Sequence, residues 1–159
     1  MSLAADIVTR ALEAGVTITT AESCTGGLVA AAITDIAGSS GMFERGVITY
    51  SNAAKTALLG VSVATLDAKG AVSEEVAAQM AQGARATAGA DIAISVTGIA
   101  GPGGSDFKPE GRVCFGLATP EGVTTQTVEF GALGRAKVRA AARDHALGLL
   151  AAALDPAEP

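Results

Sequence analysis

The chain has 159 residues, 49% of them hydrophobic and 3% aromatic, a length and composition that fit one globular domain with its own core. Its formal net charge of −5 disfavours a general nucleic-acid-binding protein, because an acidic surface repels a phosphate backbone. With one histidine and two cysteines that form no CxxC pair, the usual zinc ligands are missing, so we expect neither a metal nor another cofactor.

The same features are typical of a soluble cytoplasmic protein. No apolar run is long enough to span a membrane, and the first residues do not resemble a secretory signal. Cys24 and Cys114 are predicted to be free thiols. We therefore expect no membrane partner and no nucleic-acid partner, while the apolar helices are compatible with a homodimer.

Helices and strands alternate early in the chain, and a hairpin follows late. After a first helix that ends at Gly15, strands are predicted at 16–20, 43–50, 91–97, 112–119 and 123–130, and helices at 28–36, 53–59, 73–88 and 135–154. This order predicts an α/β fold, a three-layer α/β/α sandwich on a mixed, mostly parallel sheet. We expect a single domain over residues 1–159, with a disordered tail at 155–159.

Sites in open α/β sheets gather at the carboxyl ends of the strands. The first such loop is AESCTGG at 21–27, where we expect a helix to start near Thr25. Unpaired N–H groups at a helix start could hold an oxyanion, and Gly26 and Gly27 allow a substrate to come close. Ser23 is therefore placed as a nucleophile. The alternative is that Ser23 or Thr25 only caps the helix.

A serine nucleophile needs a base, and the lone His145 lies in the predicted C-terminal helix. Cys24 is a rival nucleophile, but a nucleophilic cysteine is usually activated by a nearby histidine. We therefore expect Cys24 to be a packed residue. Lys55 falls in the first turn of a helix, where position and burial would lower its pKa and allow a neutral amine to act as base. Tyr50 could relay or orient that proton. A solvated lysine and a half-buried tyrosine are the alternative.

Two further segments are candidates for binding. The glycine-rich loop at 97–105 fits neither a Walker loop nor the dinucleotide fingerprint, but its free N–H groups could hold an anion or an amide, and a plain wide turn fits as well. Arg135 and Arg139 stand four residues apart in the last predicted helix, with Lys137 between them. They could clamp a phosphate or form a solvated basic face.

Four separated segments resemble the CinA C-terminal domain family. They are AESCTGG at 21–27, the segment 43–55 with FERG at its start, YSN at 50–52 and Lys55 at its end, GAVS at 70–73 and TGIAGP at 97–102. The resemblance covers about residues 3–154. This family includes bacterial nicotinamide-nucleotide amidohydrolases, which hydrolyse the carboxamide of nicotinamide mononucleotide to nicotinate mononucleotide and ammonia. The family's serine, lysine and tyrosine fall on Ser23, Lys55 and Tyr50.

The resemblance implies metal-free amide hydrolysis in which Lys55, helped by Tyr50, deprotonates Ser23, and N–H groups near Thr25 and Gly26 hold the oxyanion. The substrate-binding set is expected to comprise Thr25, Gly26, Gly27, Gly98, Ile99, Ala100 and Gly101, with Arg139 and Arg135 as the phosphate clamp. A non-catalytic pyridine-nucleotide-binding module and a competence-associated partner protein are the alternatives. The intact catalytic set argues against the first, and the net charge argues against DNA as a partner.

Overall fold

The computed structural model describes residues 2–105 and 107–155. Six helices and five strands follow one another along the described chain, with a short 3₁₀ turn at Ser39–Gly41. In order they are α1 (Leu3–Ala14), β1 (Ile18–Glu22), α2 (Leu28–Thr34), β2 (Phe43–Ile48), α3 (Asn52–Leu59), α4 (Val63–Lys69), α5 (Glu74–Ala88), β3 (Ile92–Gly98), β4 (Arg112–Thr119), β5 (Gly122–Glu129) and α6 (Arg135–Leu154).

The five strands form one mixed sheet in the order β2-β1-β3-β4-β5. Strand β1 pairs in parallel with both β2 and β3, whereas β4 runs antiparallel to β3 and β5. Four of the five strands therefore point the same way, and the expected α/β fold on a mixed sheet is confirmed. The chain leaves β1 toward β2 and later returns on the other side as β3, which creates a switch point at the carboxyl end of β1.

Helices cover both faces of the sheet. Helices α1, α2 and α6 pack together on one face, and α3, α4 and α5 pack on the other. Strand β3 shows the division residue by residue, because Ile94 and Val96 belong to the core under α1 and α6, while Ala93 packs toward α5. The Ser95 hydroxyl, also on the α5 side, donates to the Ala77 carbonyl at 2.6 Å. Burial on both faces explains why most residues of β3 are apolar.

Four of the six helices have a serine as their N-cap residue. Ser2, Ser51, Ser62 and Ser73 each accept a backbone N–H from the first turn of α1, α3, α4 and α5, respectively. Helix α3 is also braced at its other end. A Cβ at Gly83 of α5 would lie 1.8 Å from the carbonyl oxygen of Leu59, so only glycine lets α3 press against α5 here. The lysine carried by α3 is thus held in a fixed place.

The element boundaries differ from expectation at several points. Strand β1 spans Ile18–Glu22 and not 16–20, because its pairing with β3 begins at Ile18 and continues to Glu22. Helix α2 begins at Leu28, where the predicted apolar helix starts, and not near Thr25, because Gly26 and Gly27 have φ values of 57° and 106° and form a turn. Helix α4 was not predicted, since its seven residues are too few to show a helical period. Of the predicted tail, Asp155 is the C-cap of α6 and pairs with Arg10, while residues 156–159 lie outside the described part of the chain.

Within the described residues, no helix combines the length and the apolar character needed to cross a lipid bilayer.

Candidate active site

A cavity of about 330 Å³ lies where the loops after β1, β2 and β3 meet the start of α6. It is therefore at the carboxyl ends of three neighbouring strands, beside the switch point of the sheet. The cavity wall includes Ser23, Tyr50, Lys55, the glycine-rich segment from Gly98 to Ser105, and Arg135. The three loops singled out in the sequence thus face one space.

Lys55 and Ser23 are in direct contact at the base of this cavity. Nζ of Lys55 donates to Oγ of Ser23 at 3.0 Å and to the carbonyl oxygen of Thr49 at 2.9 Å. Lys55 is only 2% exposed, one of the largest fully buried side chains described. Ser51 caps α3 and sets the helical turn from which the lysine reaches the serine. A hydroxyl and an amine within hydrogen-bond reach are the geometry that a nucleophile and its base require.

Burial lowers the pKa of Lys55, because the ammonium form is desolvated, and the nearby Cys24 opposes this effect only in part. The structure records no salt bridge to this lysine among the described residues. A lysine that is buried without a carboxylate partner gives up its proton more readily than a solvated one, as a general base must.

The segment from Ser23 to Gly27 forms a tight turn. The N–H of Ser23 donates to the Val96 carbonyl of β3 at 2.9 Å, and the N–H of Gly26 donates back to the Ser23 carbonyl at 2.9 Å. The N–H groups of Cys24 and Thr25 have no acceptor within residues 2–105 and 107–155. Because the Gly26 N–H is already engaged, the free donors closest to the nucleophile are those of Cys24 and Thr25.

Sequence reasoning assigned no role to Glu22, the last residue of β1. This carboxylate is 1% exposed and accepts the N–H groups of Val29 at 2.9 Å and Ala30 at 3.0 Å. It takes the place of a side-chain cap on α2, since the N-cap residue Gly27 has none. Neither Ser23 nor Thr25 caps the helix, and the buried Thr25 hydroxyl has no hydrogen-bond partner among the residues that the structure describes. Glu22 therefore fixes the turn to α2 from the strand side.

Cys24 lines the cavity but is a packed residue, as expected. Its side chain is 4% exposed, and burial raises the pKa of the thiol to about 12. A Cβ at Gly98 would lie 3.1 Å from Cys24 Sγ, so the thiol fills the space that glycine leaves open. Such a thiol stays protonated at neutral pH and is a poor nucleophile.

Tyr50 lies on the same cavity wall as Lys55, but its hydrogen-bond partner is an arginine. It is 57% exposed, and its hydroxyl accepts a hydrogen bond from Arg135 Nη2 at 2.6 Å. No hydrogen bond joins Tyr50 to Lys55 among the described residues. Arg135 also donates from Nη1 to the Gly101 carbonyl at 2.7 Å, which links the loop after β2, the glycine loop and the start of α6. Tyr50 and Arg135 therefore form the rim of the cavity.

The remaining predicted residues divide into two groups. Gly98, Ile99, Ala100 and Gly101 line the cavity, whereas Thr25, Gly26, Gly27 and Arg139 do not. Arg139 comes one helical turn after Arg135, and its guanidinium donates to the carbonyls of Cys24 and Thr25 at 3.0 and 3.1 Å. The two guanidinium groups therefore lie in different places, with Arg135 on the cavity wall and Arg139 hydrogen-bonded to the backbone of the turn.

Glu110 is a second acid whose role the sequence did not reveal. Its carboxylate accepts the N–H of Gly103 at 2.7 Å and the N–H of Gly134 at 3.1 Å. It thereby fastens the glycine loop to the start of α6. Gly101 has φ 90°, and a Cβ there would lie 2.5 Å from this carboxyl group, so glycine is required on both counts.

Comparison with known proteins agrees with this architecture. The family model of the CinA C-terminal domain matches residues 1–154. The chain belongs to this family. It resembles the competence/damage inducible protein CihA from Agrobacterium tumefaciens in crystal structure, with a TM-score of 0.92 and 46% identity over 97% of this chain and 94% of that one. This likeness confirms the fold class.

Relatives with functional names are also close in sequence. The nicotinamide-nucleotide amidohydrolase PncC of Enterobacter agglomerans is 64% identical over 106 residues, which are 66% of this chain and 65% of that protein. The protein of the same name from Escherichia coli strain K12 is 60% identical over 117 residues, 72% of this chain and 71% of that protein. A CinA-like protein of Chlorobium phaeobacteroides strain BS1 is 57% identical over 123 residues, but these span only 29% of its length.

Replacing Lys55 with methionine should raise the free energy of unfolding at neutral pH, since a buried amine is exchanged for an apolar side chain of similar length. The unfolded lysine holds its proton up to about pH 10.4, while the folded one loses it at lower pH. Wild-type stability therefore rises with pH between the two pKa values. The advantage of the variant should be largest below the folded-state pKa and shrink as the pH approaches about 10.4.

Urea unfolding of both proteins at several pH values measures this gap. The exposed Lys137 of α6 provides the control, because Lys137→Met should leave the stability nearly unchanged at every pH. A gap for Lys55→Met that does not change with pH would contradict the prediction.

Proposed function

We propose that the chain hydrolyses the carboxamide of nicotinamide mononucleotide to nicotinate mononucleotide and ammonia, with Ser23 as nucleophile and Lys55 as base. The observation that carries the proposal is the 3.0 Å contact between Nζ of a buried lysine and Oγ of a serine at the base of a cavity. The names of the relatives at 64% and 60% identity support the substrate.

The first half of the reaction uses the Lys55–Ser23 contact and the free N–H groups of the turn. In the neutral amine the lone pair can accept the hydroxyl proton, so the hydrogen bond reverses its direction while Thr49 keeps the amine in place. Ser23 Oγ attacks the carboxamide carbon. The negative charge that develops on the carboxamide oxygen is stabilised by the N–H groups of Cys24 and Thr25.

The second half returns the proton and releases the products. The ammonium of Lys55 gives its proton to the amide nitrogen as the carbon–nitrogen bond breaks, and ammonia leaves an ester on Ser23. Lys55 then takes a proton from water, whose oxygen attacks the ester carbon. Collapse of this second tetrahedral adduct returns the proton to Ser23 Oγ and frees the nicotinate carboxyl group. No group beyond water and the substrate is consumed.

The phosphate end of the substrate is assigned to Arg135 and not to Arg139. Arg135 is exposed at the rim of the cavity, and a guanidinium can bind a phosphate through two parallel hydrogen bonds. Arg135 now donates to the Tyr50 hydroxyl and the Gly101 carbonyl, which are both neutral. A charged phosphate can displace them or bind the guanidinium alongside them. Gly98, Ile99 and Ala100 would then line the nicotinamide-ribose part of the site.

We further propose a cytoplasmic enzyme that acts on this small molecule without a nucleic-acid or membrane partner. The buried free thiols of Cys24 and Cys114 and the net charge of −5 support this assignment. Ile48, Leu58 and Val63 are each more than half exposed and support a homodimer. The mass of the protein in solution, from light scattering, tests the dimer.

Ser23→Ala should reduce ammonia release from nicotinamide mononucleotide by about three orders of magnitude or more, because the attacking atom is lost. Binding of the nucleotide, measured by calorimetry, should persist. Wild-type turnover in the purified variant would rule out Ser23 as nucleophile. If the wild type binds the nucleotide but releases no ammonia, the chain is a pyridine-nucleotide-binding module.

Lys55→Arg should be nearly inactive although it keeps the positive charge, because a guanidinium does not deprotonate in proteins. In the wild type, kcat/KM should fall on the acid side with an apparent pKa below the roughly 10.4 of a free lysine, since protonation removes the base. Initial rates between pH 6 and 10 provide the profile. A Lys55→Arg enzyme with most of the wild-type kcat would mean that the lysine acts through its charge.

Arg135→Ala should raise KM for nicotinamide mononucleotide about 10-fold or more with little change in kcat, because contacts to a remote phosphate do not change during attack. Nicotinamide riboside, which lacks the phosphate, should show no such loss. An equal loss of kcat/KM for both substrates would show that Arg135 does not bind the phosphate.

A further inference from the structure

Arg139 makes an unusual contact with the turn that carries the nucleophile. From α6, its Nε donates to the Cys24 carbonyl at 3.0 Å and its Nη2 donates to the Thr25 carbonyl at 3.1 Å. A Cβ at Gly26 would lie 3.2 Å from Nη2, so the glycine gives the guanidinium room against the backbone. Both contacts are made to main-chain oxygens, and the arginine does not line the cavity.

These contacts determine which way the N–H groups of the turn point. In a trans peptide unit the carbonyl and the N–H lie on opposite sides. When the Cys24 carbonyl is bound to Arg139, the N–H of Thr25, which belongs to the same peptide unit, is directed away from the guanidinium. The Ser23 carbonyl is likewise taken by the Gly26 N–H, which directs the Cys24 N–H away from that bond.

The guanidinium also changes the strength of these donors. A hydrogen bond from a cation to a carbonyl polarises the peptide unit and makes the attached N–H a better donor. The Thr25 N–H has no acceptor among the described residues, so this added donor strength is not used by another group of the described chain. Arg139 thus has the position and the charge to prepare an anion-stabilising group without contacting the anion.

We propose that Arg139 is a positioning residue for the oxyanion site, holding the carbonyls of Cys24 and Thr25 so that the N–H groups of the turn meet the developing negative charge. This inference rests on the proposed function, since the oxyanion forms in the serine reaction. It assigns Arg139 a part in the chemical step, whereas a phosphate clamp would act on substrate binding.

The test compares Arg139→Ala with Arg143→Ala. Arg143 lies one turn further along α6, and its one recorded salt bridge within the described part of the chain is to the neighbouring Asp144, so it is a matched control on the same helix. Arg139→Ala should lower kcat for ammonia release about 10- to 100-fold, while KM stays within about twofold, because the loss falls on the transition state. Arg143→Ala should behave as the wild type.

A second readout does not depend on the substrate. An alkyl fluorophosphonate reacts when Ser23 Oγ displaces fluoride from phosphorus, and the phosphoryl oxygen then needs the same oxyanion donors. Arg139→Ala should label about 10- to 100-fold more slowly than the wild type, and added guanidinium ion should restore part of the rate. Arg139→Lys, which keeps the charge but not the paired donors, should also label more slowly. It replaces the alanine variant in this test if Arg139→Ala does not fold.

A raised KM with unchanged kcat and labelling rate would overturn the inference and make Arg139 a substrate-binding residue. A folded Arg139→Lys variant with wild-type kcat and labelling rate would overturn it as well. If the wild type labels at Ser23 but releases no ammonia from nicotinamide mononucleotide, the proposed substrate is wrong, and the labelling rates alone decide the role of Arg139. If the wild type neither labels nor releases ammonia, both proposals fail.

Discussion

The buried contact between the Lys55 amine and the Ser23 hydroxyl places strict demands on the surrounding fold. Desolvation of an amine costs free energy, so the side chain stays buried only if its helix cannot move outward. Helix α3 meets this demand at both ends, through the Ser51 cap and through the close approach of Leu59 to Gly83. The sheet positions the other partner of the contact, because β1 ends directly before Ser23.

Two charged side chains hold the turn after β1 from opposite directions. Glu22 binds the N–H groups at the beginning of α2, and Arg139 binds carbonyl groups of the turn itself. Glu22 therefore accepts from backbone N–H groups and Arg139 donates to backbone carbonyls, and no salt bridge joins the two side chains in the described part of the chain. The main chain between them is left with few ways to move, which is what a preorganised oxyanion site requires.

Much of the site was predictable, because it depends on residues at strand ends. The loop positions of Ser23, Lys55 and the segment from Gly98 follow from the order of the strands, and parallel strands bring their carboxyl ends together. The roles of Glu22, Glu110 and Arg139 were not predictable. Each of these side chains binds backbone groups outside its own helix or strand, and hydrophobic periodicity does not show where those groups point.

Local conformation limited the prediction in a second way. The apolar run predicts a helix at 28–36, but the hydroxyls of Ser23 and Thr25 before it also suggested a helix start near Thr25 with one of them as the cap. The positive φ values of Gly26 and Gly27 instead insert a turn, and the cap comes from Glu22, earlier in the chain. Glycine pairs of this kind signal either a flexible approach to a ligand or a forced turn, and only the three-dimensional structure distinguishes them.

The carboxylate of Glu110 has a consequence for how products leave. It occupies the Gly134 N–H at the start of the 20-residue α6, where the helix dipole would otherwise attract an anion. Under the proposed reaction the product carries one more negative charge than the substrate. Because the chain's own carboxylate already accepts the Gly134 N–H, that donor is not free to bind the extra charge of the product.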